Sequence, residues 1–518
     1  MRHNKTSRLL YLLVLFGIGL GSHLGWSQNP RLTSASSLTT ARKEVARGDL
    51  VSAERTLWTL LSGDPNQTEA LTLLAVIRGR QKRYPESEAL LRRVLQLDPK
   101  SPVAHQDLAT ALIAQNKPDA AIDEYKEVVK LSPGDRAAKV ELARLYVARG
   151  DFAEALSTLE TFPSDRLPID AVPAKAASLL GLGRTQEASA LISRAKESPA
   201  IAADLAEVFL DGNAPEYALK TVDAVLTGRE RVPTRIYYLK GRALQVTGDR
   251  LGAMNSFREA LARDPKSVDT LVAMAAVRAS QGEHAQALDM LNRAYALQPG
   301  SPAVLRRLVI AGIQAGQRNT ALRAAHELAT RSPDNLDDLY LAAAAMLEGR
   351  DFVTASSIFE KYVAERPQDS KGFLGLGIAQ LAQQHYAEAR KALQRALEID
   401  PGLADAEYQL GALAEQQGTV AEALQHFARA VELQPRHAKA LAGLGAQYLQ
   451  GGDLEKADSL LERSVTIDPN NSKTQYDLAL VLAKLGRTKE AKQHMDRSRV
   501  LKAAEDAGKS PAPVAKTP

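Results

Sequence analysis

The chain has no cysteine and only two tryptophans in 518 residues. Without thiols there is no disulfide, no thiolate nucleophile, no Cys-containing zinc or iron–sulfur site, and no anchor for a lipoprotein-type lipid. Aromatic residues reach only 5%. Blocks of like charge are missing too. Lysine and arginine number 66 against 61 acids, a net charge of +5, and both signs intermingle in stretches such as LEKADSLLERS at 454–464. That is the solvated face of an amphipathic helix. A nucleic-acid surface needs a concentrated basic stripe with stacking aromatics, so no nucleic-acid partner is expected.

Signatures of chemistry are equally scarce. The nine histidines, among them His105, His284, His326, His385, His426 and His494, never fall into a His-Glu-x-x-His spacing. There is no Gly-x-Ser-x-Gly elbow and no Walker-type loop. Gly375-Leu376-Gly377 and Gly443-Leu444-Gly445 look like pieces of a phosphate loop, but they lie within helical segments with no strand before them. Carboxylates abound without a spacing that singles out an acid–base pair. The sequence assigns no catalytic residue, cofactor or metal, and no small-molecule substrate is expected.

What is present is a period. Pro65, Pro99, Pro133, Pro199, Pro233, Pro265, Pro299, Pro333, Pro367, Pro401, Pro435 and Pro469 mark the chain mostly at steps of 34 residues. A fixed period of this length signals a tandem array of helical hairpins. The unit 404–437 shows why. Leu410, Gly411 and Ala414 form one helical stripe, and Gly418 stops the helix by taking a left-handed conformation. Thr419 and Glu422 predict a capping box for the second helix. Ala423, Phe427 and Ala430 share its buried face, and Pro435 closes it.

Small residues recur at the eighth position of each unit, as in Ala75, Ala109, Gly241, Ala275, Gly377, Gly411 and Gly445. They recur twelve residues later, as in Ala121, Ala253, Ala287, Ala389, Ala423 and Ala457. They let helix backbones approach closely. Larger residues four further on fill the adjoining space: Leu57, Leu91, Tyr125, Leu159, Phe257, Leu291, Phe359, Leu393, Phe427 and Leu461. Val309 breaks the small-residue rule in one unit.

This spacing of small residue, aromatic or leucine, and closing proline resembles the tetratricopeptide repeat family, over about fourteen units between residues 34 and 502. The family's first-helix tryptophan is absent; Trp26 and Trp58 lie elsewhere. The resemblance implies an all-α, right-handed superhelical solenoid of helix-turn-helix repeats, each packed mainly on its neighbours. The expected organisation is an N-terminal array at 34–162, degenerate repeats forming a bend at 163–233, a C-terminal array at 234–502 and a flexible tail at 503–518. In the degenerate stretch Pro163, Pro168, Pro173 and Pro215 leave the ladder, while Ala188 and Ala218 keep the look of second-helix anchors. Sequence drift without a bend is the other reading.

The amino terminus reads as a secretory signal over residues 1–27. Arg2, His3, Lys5 and Arg8 precede the apolar run Leu9–Gly21, and Gly25 and Ser27 offer a cleavage site before Gln28. The run is short for a spanning helix. An uncleaved anchor is the alternative, with membrane contact only through this segment. The expected place is the bacterial periplasm or exterior, or the inner membrane facing the periplasm.

In the family, first helices line the concave face, with fifth and ninth residues pointing inward. Here that resemblance selects Tyr238, Arg242, Arg306, Tyr340, Leu374, Tyr408 and Tyr476, joined by Lys371 and Lys439 at second positions. Such a mixture of tyrosine, apolar surface and cations suits a peptide. The alternative is that these side chains pack on neighbouring first helices. The family's Lys/Asn clamp for a C-terminal carboxylate is absent, since no ninth position carries asparagine. The expectation is a non-catalytic scaffold binding other proteins or peptides in its groove, in work such as polysaccharide export, pilus or secretion assembly. A membrane-anchored periplasmic adaptor and a non-catalytic subunit of an envelope enzyme are the alternatives.

Overall fold

A computed structural model describes residues 31–163, 166–227 and 232–506. The segment 1–27 read as a signal lies outside the described residues, as do 507–518 of the expected tail. The last helix, Thr488–Asp506, runs a turn into that tail segment. Among the described residues there are twenty-eight α-helices and no strand, so the chain is an all-α solenoid of hairpins. It divides into two compact units, residues 1–233 and 234–518.

Local chemistry ends the helices where the period says. In the unit 404–437 the first helix is Ala404–Gln416 and the second Val420–Leu433. Gly418 between them has φ +75°, a region that costs glycine nothing. Pro435 follows an extended Gln434. Elsewhere Asp and Asn side chains cap second and first helices alike: Asp249 accepts from the Gly252 amide and Asn471 from the Thr474 amide. The capping box expected at Thr419 does not form. Its hydroxyl turns back to the Ala414 carbonyl and the Glu422 carboxylate, each at 3.1 Å, and makes no cap bond. Glu422 is drawn away by an ion pair with Arg390 of the preceding repeat.

In the stretch 166–227 a short 3-10 turn at Ile169–Ala171 leads into Val172–Gly181, Thr185–Ala190, a 3-10 stretch Leu191–Glu197, then Pro199–Asp211 and Pro215–Leu226. Pro173, Pro199 and Pro215 all sit in the first turn of a helix, where the missing amide is not needed. Ala188 and Ala218 are fully buried.

Small residues mark the close approaches. A Cβ on Gly411 would stand 2.6 Å from the Phe427 ring, and one on Gly377 2.7 Å from Leu393. In the unit with Val309, the tight contact moves one turn along: a Cβ on Gly312 would lie 2.9 Å from the Ala321 backbone nitrogen. Val309 is itself fully buried, so the exception is a shifted contact rather than a gap.

Candidate partner groove

Within residues 234–518, first helices from Pro302 to Lys484 touch one another in succession, and each second helix touches the next first helix. First helices therefore line the inner side of this unit. Seven of the nine candidate groove residues lie on these helices; Tyr238 and Arg242 lie on the earlier first helix Thr234–Thr247.

Three of the tyrosines have a ring partner. Tyr238 meets Phe257 at 6.0 Å between centroids, Tyr340 meets Phe359 at 5.9 Å, and Tyr408 meets Phe427 at 5.9 Å. These distances suit favourable aromatic pairing. The partner is the twenty-fourth residue of the same repeat, on the second helix, not a neighbouring first helix. Tyr340 also leans on Tyr362, and Tyr408 on His437. All three tyrosines are half-buried. Burial, with the nearby Asp369, raises the Tyr340 phenol above its usual range; burial, with Glu415 and Asp405, does the same at Tyr408. Tyr476 differs. Its repeat carries Met495 at the twenty-fourth position, no ring packs on it, and it is 44% exposed.

The phenylalanines set a further rule. Phe257, Phe359 and Phe427 are followed, in the next repeat, by Ala273, Gly375 and Gly443 at the sixth position. A Cβ on Gly375 would stand 2.4 Å from the Phe359 ring and one on Gly443 2.8 Å from the Phe427 ring. After smaller anchors the sixth position carries Leu73, Asp107, Arg307, Leu341, Gln409 or Asp477. The first glycine of each Gly-Leu-Gly element thus admits a ring from the repeat before.

The cations fall into two groups. Arg306 is engaged: its guanidinium holds the buried Asp338 of the next repeat, with Nη2 2.8 Å from Oδ2. Arg242 is half-buried, whereas Lys371 and Lys439 are exposed at the second positions of their helices. Leu374 is half-buried against the cluster of Leu393, Ala396, Ala406 and Leu410.

Tyr408 and Lys439 share one cavity of about 100 Å³ with Glu415, Ala442, Lys473 and Asp477. Glu415 accepts from Gln447 Nε2 at 3.3 Å. Burial raises the Asp477 carboxyl above its usual range; Lys473 opposes this and Glu415 reinforces it. Ala442 stands at a fifth position, but its small side chain kept it out of the candidates, and Glu415 and Asp477 were missed because lone carboxylates read as surface. Among the described residues no group of three or more His, Asp or Glu could hold a metal. No helix among them is long and apolar enough to cross a membrane.

Family profiles agree with this architecture. Tetratricopeptide repeat profiles match residues 78–167, 234–311 and 374–499 through overlapping or adjoining segments. Cellulose synthase operon protein C of Xanthomonas axonopodis pv. citri is 23% identical over 455 residues, 64% of this chain and 24% of that protein. The protein of the same name from Pseudomonas fluorescens is 25% identical over 309 residues, 56% of this chain and 21% of that protein. The chain spans about a quarter of the length of these curated relatives. Among solved structures, the APC/C hetero-tetramer Cut9–Hcn1 aligns at 16% identity and a TM-score of 0.41, covering 85% of this chain and 95% of that one. The profile matches take in more than half of the residues, and the repeats they match are the hairpins seen here: the chain belongs to the tetratricopeptide repeat family.

Proposed function

We propose that the protein is a non-catalytic scaffold of the bacterial cell envelope, holding segments of partner proteins along the first helices of residues 302–484. The observation that carries this reading is the inner wall itself. It presents the exposed Tyr476 and Ile310 beside exposed Lys371, Lys439 and Lys473, with a cavity between two of those lysines. Apolar area with peripheral cations is the composition of a peptide-binding surface. The bacterial relatives named for a cellulose synthase operon favour a role in polysaccharide export among the envelope tasks. The basic start, apolar run and Gly25–Ser27 support export of the chain to the periplasm.

Two measurements test the reading. A photo-crosslinking residue at Ile310 or Tyr476 is expected to trap a discrete set of envelope proteins, while the same residue at the exposed Val353 of a second helix traps none of them. Equal trapping from both faces would remove the groove. Amino-terminal sequencing is expected to find a mature chain beginning at Gln28. An intact Met1 in the membrane fraction would mean the anchored adaptor, and recovery from the cytosol would defeat the envelope assignment.

A further inference from the structure

Comparing the cavity at Ala442 with the equivalent place four repeats earlier shows what is missing from it. Arg306 and Ala442 both stand at the fifth position, Asp338 and Thr474 at the third position of the repeat that follows. The helix caps are the same at both places. Asn335 caps the Asp338 amide and Asn471 caps the Thr474 amide, by the same side-chain bond. In the earlier place the Arg306 guanidinium crosses to the next repeat and seats on Asp338. In the later place Ala442 has only a methyl group, too short to cross, and Gly443 stands where Arg307 stood. Gly443 is held small by the Phe427 ring beneath it. The space so left is the cavity of about 100 Å³.

Its charges are arranged by depth. Glu415 and Asp477 are half-buried, whereas Lys439 and Lys473 are exposed. Asp477 accepts no side-chain hydrogen bond; Lys473, one turn before it, acts on it only through space. Lys439 likewise acts at a distance on Asp405, which His437 already holds. Charges near the low-dielectric wall act more strongly than solvated ones on flexible stems. The inner part of the cavity therefore favours a cation and its rim favours anions. A volume of about 100 Å³ admits the end of one side chain and is well short of the usual size of a small-molecule site.

The geometry points to a subsite for one arginine side chain of a partner peptide, flanked in that peptide by acidic residues. The arginine enters the space that Arg306 fills from within the chain four repeats earlier; Thr474 replaces the acid Asp338 here, and the carboxylates come instead from Asp477 and Glu415. Its guanidinium donates to Asp477 and Glu415, and the flanking acids meet Lys439 and Lys473. A planar fork of donors matches two carboxylates better than an ammonium does. This inference rests on the groove reading and specifies one contact within it.

The test uses the full chain and a blocked probe, acetyl-Ala-Asp-Arg-Asp-Ala-amide, beside the same peptide with citrulline for arginine. Citrulline keeps the shape and removes the charge. Titration followed by NMR is expected to show saturable binding of the arginine peptide, at least tenfold weaker binding of the citrulline peptide, and shifts centred on residues 408–477. Asp477→Asn is expected to weaken the arginine peptide about tenfold with little effect on citrulline. Ala442→Arg, which supplies the missing guanidinium from the chain itself, is expected to abolish binding. Equal binding of the two peptides, or binding indifferent to Asp477→Asn, would overturn the subsite; so would no binding by the folded chain. The groove reading fails separately, through crosslinks that do not favour Ile310 and Tyr476.

Discussion

The repeats at 404–437 and 472–505 present a tyrosine at the same fifth position, yet the two rings live differently. Tyr408 leans on the buried Phe427 and is half covered. Tyr476 has Met495 in the phenylalanine's place and stands 44% exposed. The same split runs through the unit 234–518: tyrosine occupies the fifth position at Tyr238, Tyr340 and Tyr408 where the twenty-fourth residue is phenylalanine, and at Tyr476 where it is not. Three residues are therefore linked across two repeats: the phenylalanine, the tyrosine that leans on it, and the alanine or glycine that admits its tip. A tyrosine in that linkage stabilises a layer. One outside it is surface.

The largest effect expected from breaking the linkage is at its centre. Phe427 is 1% exposed and lies between Gly411 and Gly443 of two successive first helices. Phe427→Ala should cost about 3–5 kcal/mol, since glycine on both sides gives nothing to refill the space. In a solenoid that loss should be local. Hydrogen exchange should rise across residues 404–451 and leave 234–297 protected. A uniform rise would contradict nearest-neighbour coupling.

Gly443→Ala comes next. Its Cβ would fall 2.8 Å from the Phe427 ring, and overpacking of this kind costs about 1–3 kcal/mol. The linkage makes a sharper demand on the double variant. Gly443→Ala with Phe427→Leu should recover part of the loss, because leucine anchors tolerate large sixth-position residues elsewhere in the chain. Denaturant melts of the four proteins give the coupling. Strict additivity would mean that the pairing of phenylalanine with small neighbours is accidental.

The sixth position offers a smaller test in the other unit. Asp107 follows the leucine anchor Leu91, which leaves room for a carboxyl, and burial there pushes its pKa up to about 6. A raised carboxyl favours its neutral form in the fold. Its stabilising influence is complete below the ordinary value near 3.8 and is lost as pH rises through about 6. Asp107→Asn should therefore be neutral near pH 4 and more stable than the natural chain, by about 1 kcal/mol, at pH 7.5. Thermal melts at the two pH values decide it; a variant less stable at pH 7.5 would refute the burial argument.

How much of this was legible beforehand follows from the period. Helix ends, the close approach at Gly411 and the buried Phe427 depend on residues within one repeat, and a period of 34 repeats that evidence many times over. The capping box at Thr419 was misread because Arg390 of the preceding repeat holds Glu422, a contact that spacing within one unit does not show. Arg306 counts among the groove cations in the sequence, and its ion pair does not show there for the same reason, since its partner Asp338 belongs to the next unit. The cavity at Ala442 was invisible because it consists of side-chain volume that is absent. Its trace in the sequence is a difference between repeats, Arg306-Arg307 against Ala442-Gly443, and only a register-by-register comparison brings it out.

Tyr476 is where the smallest stability effect and the most informative binding effect should coincide. The ring touches no other ring, and it is 44% exposed. Tyr476→Ala should change stability by no more than about 0.5 kcal/mol, the usual range for surface substitutions. Tyr340→Ala, by contrast, strips the edge of Phe359 and should lower the melt measurably. If the inner wall holds a partner, Tyr476→Ala should lose the proteins crosslinked through Ile310 while its melt stays in place, because a truncated aromatic anchor commonly costs about 2 kcal/mol or more of binding. Tyr340→Ala should lose them only to the extent that it unfolds. Should both variants keep every crosslink, the tyrosines would be packing and surface with no share in recognition, and Lys371, Lys439 and the cavity between Lys439 and Lys473 would have to carry it alone.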